Sequence, residues 1–213
     1  MDFALRSGLH HREVDGAHIL FDLTADRYSL LTGETAVRFE RFISGRAADT
    51  DHAALFAQDL IAPQRADTAT GRATFTVPAV SLVDDGLPDG GLPGTAAALW
   101  LMHRVRADLR RRRLASVLER LGRARPVATA SDREVLIRVA AEFQRAGRFI
   151  SLQEQCLVRG IAMTAALGRR GIRGSLVFGV TMPFAAHCWV QVGDQVLTDP
   201  LDIIRHYQPI FII

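Results

Sequence analysis

The chain has 213 residues, 48% of them apolar, which is enough for one large domain or two small ones with packed cores. A formal charge of +3 with a pI near 9.5 is too weak a basic bias to imply nucleic acid by itself. All of that basic charge is arginine, since no lysine occurs. Two cysteines give no disulfide framework, so a reducing cytoplasm is the expected compartment. The amino terminus, MDFALRSGLHHREVD, lacks the apolar stretch of a signal peptide, and GTAAALWLM (94–102) is too short to span a bilayer.

In chain order, AHILFDL (17–23) and RYSLL (27–31) are short runs of strand formers around Thr24-Ala25-Asp26, which predicts a hairpin. Thr32 or Gly33 then opens a helical pattern with Ala36, Phe39, Phe42 and Ile43 on one stripe, ending near Gly45. A second helix is predicted from Asp49–Asp51 through Leu55, Leu60 and Ile61, stopped by Pro63. Residues 73–83 read as extended, with Pro78 favouring an edge or a linker. The glycines and prolines of DDGLPDGGLPG (84–94) predict a domain boundary, giving one domain over 1–85 and another over 93–213.

The second part reads as helices followed by strands. Residues 95–122 predict one long helix or two. Another covers 131–146, with Ser131 as N-cap and Glu134 completing a capping box. The next spans about 152–169, and SLVFGV (175–180), AAHCWVQV (185–192) and QVLTDP (195–200) supply three strands. The expected class is α+β.

Three residues of this second part suggest chemistry. Cys156 falls in the first turn or so of its predicted helix, where the positive end of the helix dipole lowers a thiol pKa, with Ser151 available as N-cap. His187 lies on a predicted strand, sharing a face with Ala185 and Trp189, while Ala186, Cys188, Val190 and Val192 share the other and read as core. Asp199 follows on the returning strand. Nucleophile, base and base-orienting carboxylate form a triad if the last two share a face. That requires an odd-length hairpin loop, because a two-residue Gly193-Asp194 turn sends His187 and Asp199 to opposite faces. Cys156, Cys188 and His187 lack the paired spacing of a zinc site, so no metal and no cofactor is expected.

QCLVRGIAMTAALGRRGIRGSLVFGV and PFAAHCWVQVGDQVLTDP resemble the transglutaminase-like B proteins of lasso peptide biosynthesis, over about residues 93–213. The resemblance rests on Cys-Leu-x-Arg, the Leu-x-Phe-Gly-Val strand and the Ala-His-x-Trp-Val strand. It implies a papain-like cysteine endopeptidase with Cys156 as nucleophile, His187 as base and then acid, and Asp199 orienting the imidazole. Backbone N–H groups at the start of the Cys156 helix, that of Cys156 included, become the expected oxyanion donors. Where this chain has Cys188, the family usually carries a small residue such as alanine.

The first part, with FDLTADRYSLL, AVRFERFISG and LIAP, is similar to the leader-recognition domain fused to such peptidases, a small winged helix-turn-helix fold like the pyrroloquinoline-quinone chaperone. The third helix of that domain is not obvious between 63 and 93. The resemblance implies that a precursor's leader peptide adds as a strand beside residues 27–31, with Tyr28, Ser29, Leu30, Leu31 and Phe39 as leader-binding residues. It further implies that the product passes to an ATP-dependent macrolactam-forming cyclase that associates with the protein.

RVRADLRRRR (104–113) is the most basic stretch, on a predicted helix whose seam is Leu101, Val105, Leu109 and Leu114. A solvated helix face is its first reading, a docking surface for an acidic peptide or partner its second, and nucleic acid its third. Neither nucleic acid nor membrane is an expected partner. Two rival functions stand beside leader removal: acyl transfer to an amine through the same thioester, and nucleic-acid regulation by a winged helix-turn-helix.

Overall fold

The computed structural model describes residues 2–64, 75–123, 132–150 and 155–213. Its backbone contacts divide into two compact units, Met1–Ala73 and Thr74–Ile213.

The first unit runs β1 (Phe3–Leu5), β2 (Leu9–Val14), β3 (Ala17–Asp22), β4 (Arg27–Leu30), α1 (Gly33–Ile43), α2 (Asp49–Ala57) and β5 (Ile61–Pro63). The middle strands form an antiparallel sheet in the order β2-β3-β4, and β1 pairs with β5. The predicted hairpin is β3–β4, its loop held by the Asp22 carboxylate, which accepts from the N–H groups of Thr24 and Ala25 at 2.9 and 3.0 Å. Sequence reading missed β2, although its signal was present. Asp15-Gly16 forms the two-residue loop to β3 with φ of 51° and 75°, the positive values that Asp-Gly supplies in a hairpin turn. The second helix ends earlier than expected. Asp59 takes a left-handed φ of 58°, and Leu60 N–H folds back to Leu55 O, so Ile61–Pro63 leave the helix to pair with β1. Leu9, Leu20, Phe39, Leu55 and Ile61 make the core.

The second unit runs β6 (Val80–Ser81), α3 (Leu92–Arg111), α4 (Leu114–Arg123), α5 (Arg133–Gly147), α6 (Gln155–Arg169), β7 (Ser175–Thr181), β8 (Ala185–Val192), β9 (Gln195–Val196), α7 (Leu201–Ile204) and β10 (Gln208–Ile212). Its five-stranded sheet has the order β10-β7-β8-β9-β6, antiparallel except for the β9–β6 edge. One face of the sheet receives α6. A Cβ built on Gly160 would lie 2.6 Å from Leu176 Cδ1 and 3.8 Å from Val190 Cγ2, so at this separation a larger residue would require the Leu176 side chain to shift. The other face packs Val177, Trp189 and Val196 against Leu201 and Ile204 of α7. Both faces of β8 are therefore core beyond His187, not one face alone.

Three expectations change here. The seam of the basic stretch divides, with Leu101, Val105 and Leu109 on α3 and Leu114 on α4, because Arg112 is extended, at φ −135° and ψ 152°. The N-cap of α5 is Asp132, whose side chain accepts from Glu134 N–H. Ser131 and Ser151 lie outside the described residues. Finally, the division between units comes after residue 73, and 84–94 is not a linker. Val80 and Ser81 pair with β9, and Asp84 Oδ2 accepts from Leu201 N–H at 3.1 Å. A Cβ on Gly90 would stand 2.7 Å from the Ala141 carbonyl oxygen. Glycine at that position answers a close approach to α5, and composition alone does not distinguish that from flexibility.

Candidate active site

Cys156 lies in the first turn of α6, as predicted. Its side chain is half-buried, and it hydrogen-bonds to His187 and to Cys188 near the start of β8. Cys188 is 3% exposed on the face that packs against α6.

The loop between β8 and β9 is not the odd-length one expected. Gln191 pairs with Val196 and Val192 with Gln195, leaving Gly193-Asp194 as a two-residue turn, with Gly193 at φ 59°. A regular ladder would carry Asp199 to the side of Cys188, away from His187. The strand ends first. Thr198 offers its side-chain Oγ1 to Val190 N–H at 3.0 Å, and the backbone bends. Ser81 Oγ then donates to the Asp199 carbonyl at 2.7 Å. This bend turns the carboxylate towards the imidazole. His187 Nε2 lies 3.2 Å from Asp199 Oδ1, at ion-pair distance with the N–H direction outside hydrogen-bond geometry. With Nε2 facing the carboxylate, Nδ1 is the nitrogen left for the thiol.

Residues that sequence reasoning did not assign complete this arrangement. Arg159 donates to Asp199 Oδ1 at 2.9 Å, and both side chains are largely buried. Its place three residues after Cys156 on one helix puts it on the same side of α6, a spacing visible in Cys-Leu-x-Arg. Ser81 and Asp84 carry no comparable signal, because they meet the site only through the parallel β6–β9 edge. Cys188 was read as inert core, yet its thiol is a partner of the nucleophile.

The electrostatics follow from these contacts. The hydrogen bond from the Cys188 thiol, the hydrogen bond and positive charge of His187, and the Cys188 N–H outweigh burial and bring Cys156 down to about 4. Burial lowers the His187 pKa, but Asp199 and Cys156 more than reverse it and raise it to about 9. Cys188 is pushed well above the ordinary thiol value by its bond to Cys156 and by burial, so it remains the donor. Burial pushes the Asp199 carboxyl up, while His187, Arg159 and Thr198 together hold it below its ordinary value. At neutral pH the site is a thiolate–imidazolium pair backed by an ionised carboxylate.

The positions expected to grip a peptide lie in the first unit. Among the described residues β4 is an outer strand of its sheet. Ser29 and Leu30 are exposed, Tyr28 is half-buried and stacked on Phe21 at 4.4 Å, and Leu31 packs against the core. Phe39 is a correction. It is 0% exposed, enclosed by the core of its unit, and presents no surface to a peptide. Also in this unit, Glu13, His18 and Glu40 bring ligand-type atoms within 4.8 Å of one another. His18 Nε2 is paired with Glu40 Oε2 at 3.1 Å, and its Nδ1 lies 3.1 Å from Nε2 of His11.

The second unit is thus a mixed α/β fold in which a helix-borne thiol, an imidazole and a carboxylate come together beside a mostly antiparallel sheet. A family model described as the transglutaminase-like superfamily matches residues 99–212, and the chain belongs to that superfamily, whose members are typically cysteine-based enzymes. No curated protein and no solved structure matches the chain. Among the described residues no helix is long and apolar enough to cross a membrane.

Proposed function

We propose that this protein is a cysteine endopeptidase that removes the leader from a ribosomally made lasso peptide precursor. The observation that carries the reading is the Cys156–His187–Asp199 constellation, with Nε2 of His187 3.2 Å from Asp199. In the reaction the Cys156 thiolate attacks the scissile carbonyl, and the Cys156 N–H is a donor for the developing oxyanion. His187, already protonated, gives its proton to the leaving amine. The neutral imidazole then takes a proton from water, the resulting hydroxide attacks the thioester, and collapse of the second tetrahedral intermediate releases the thiolate. Asp199 stabilises the imidazolium at both stages, and Arg159 keeps Asp199 ionised.

Support for the leader as substrate comes from the first unit. Leu31 N–H donates to His18 O at 2.9 Å, so by the alternation of an antiparallel strand the N–H of Leu30 points away from β3. A leader peptide adding beside β4 would use that outer edge, with Tyr28 and Leu30 as side-chain contacts. The cleaved core peptide would then pass to an associated ATP-dependent cyclase.

The test is mass spectrometry of a precursor peptide incubated with the protein. Release of free leader and core, lost in Cys156→Ala while leader binding persists, supports the proposal. A product carrying an added amine in place of water would show acyl transfer instead, and an intact precursor would remove the peptidase reading. Leu30→Pro deletes the outward N–H without touching the β3 ladder and should weaken leader binding. Unchanged leader affinity in that variant would count against strand addition.

A further inference from the structure

A cavity of about 420 Å³ opens between α3, α4 and α6, and the catalytic constellation takes no part in it. Its floor is apolar, formed by Leu101, Val105, Val117 and Ile161. Arg104, Arg120 and Arg169 also line it, one from each helix, and all three are exposed. None of these arginines pairs with a carboxylate among the described residues. The lining carboxylate, Asp108, lies 3.7 Å from Arg112, which is outside the cavity. Trp100 is 52% exposed beside them, with the guanidinium carbons of Arg104 and Arg169 at 5.1 and 6.0 Å from its ring centre.

Three unneutralised cations around an apolar hollow ask for an occupant with several negative charges and an apolar group between them. A fatty acid brings a single carboxylate, which cannot reach arginines on three helices. A nucleic acid brings many charges, but its bases stack on aromatic faces, whereas the floor of this cavity is aliphatic. We propose that this cavity docks an acidic segment of a partner polypeptide, with an aliphatic side chain on the floor and flanking carboxylates on Arg104, Arg120 and Arg169. The site is independent of cleavage, so it stands or falls separately from the peptidase reading.

The test uses the full chain carrying Cys156→Ala, so that no probe is cut, and a fluorescein-labelled synthetic peptide, Glu-Glu-Leu-Ser-Glu-Leu-Glu. Anisotropy should show saturable binding that weakens as sodium chloride is raised, because exposed charge pairs are screened. Emission from Trp100 should change with it, and Trp100→Phe should abolish that change, since Trp189 is 1% exposed. Each of Arg104→Glu, Arg120→Glu and Arg169→Glu should weaken binding about tenfold or more, as loss of one charge-assisted contact implies. Ala165→Phe, which fills the cavity from α6, should do the same by an apolar route. These arginines are exposed, so unchanged melting curves will show that the variants remain folded.

Several results would overturn the proposal: no saturable binding, affinity untouched by the arginine reversals, or equal affinity for the probe with serine at both leucines. Displacement of the probe at equal concentration by a single-stranded oligonucleotide would assign the surface to nucleic acid, and displacement by laurate would assign it to a lipid.

Discussion

Replacing Cys188 by alanine isolates the least expected contact of the site. The substitution removes the thiol that donates to Cys156 and keeps the backbone N–H that also faces it. A hydrogen bond to a charged group contributes about 1.5–3 kcal/mol, and about 1.4 kcal/mol corresponds to one pH unit. The Cys156 pKa should therefore rise from about 4 to about 5–6. Carboxamidomethylation by iodoacetamide, followed by mass spectrometry between pH 3.5 and 8, reads the thiolate directly, and Cys156 is its sole target in the variant. At pH 7 the thiol remains mostly ionised in both proteins, so the contrast belongs to the acidic limb. Cys188→Ser restores an O–H donor and should return the limb most of the way. A folded Cys188→Ala protein whose acidic limb coincides with that of the wild type would refute the reasoning, leaving His187 as the source of the thiolate.

Further predictions concern the neighbours of that pair. Activity of the wild type should follow a bell in pH, rising through about 4 as Cys156 ionises and falling through about 9 as His187 loses its proton. A flat profile across either limb would contradict the thiolate–imidazolium pair. Since His187 has its pKa raised, its contribution to stability is full below its ordinary value of 6.5 and is lost as pH rises through about 9, which urea melts across that range will show. Asp199→Asn should bring the alkaline limb down towards neutral pH and, by leaving Arg159 buried without a charge partner, cost about 3–5 kcal/mol in a denaturant melt. Gly90→Ala should destabilise the second unit by roughly 1–3 kcal/mol, because its Cβ meets the backbone of α5. A neutral effect would return 84–94 to the status of a linker.

The sequence by itself determined the parts that depend on local pattern. The 3.6-residue apolar stripe with Cys156 at its start made α6, and alternation over AAHCWVQV made β8. The stripe of Ala36, Phe39, Phe42 and Ile43 made α1, and two runs of strand formers made the β3–β4 hairpin. Chain neighbours settle such features, because propensity, capping and turn chemistry act over a few residues. Where alternation was extended from β8 across the turn to Asp199, it gave the wrong loop. The two-residue turn would have separated His187 from Asp199 had the ladder continued. A hydroxyl at Thr198 and a serine on β6, more than a hundred residues earlier in the chain, ended it. The thiol of Cys188, the buried cation of Arg159 and the packing of Gly90 on α5 belong to the same class. Each depends on atoms brought close by the fold from distant parts of the chain, and only the tertiary structure decides which of them meet.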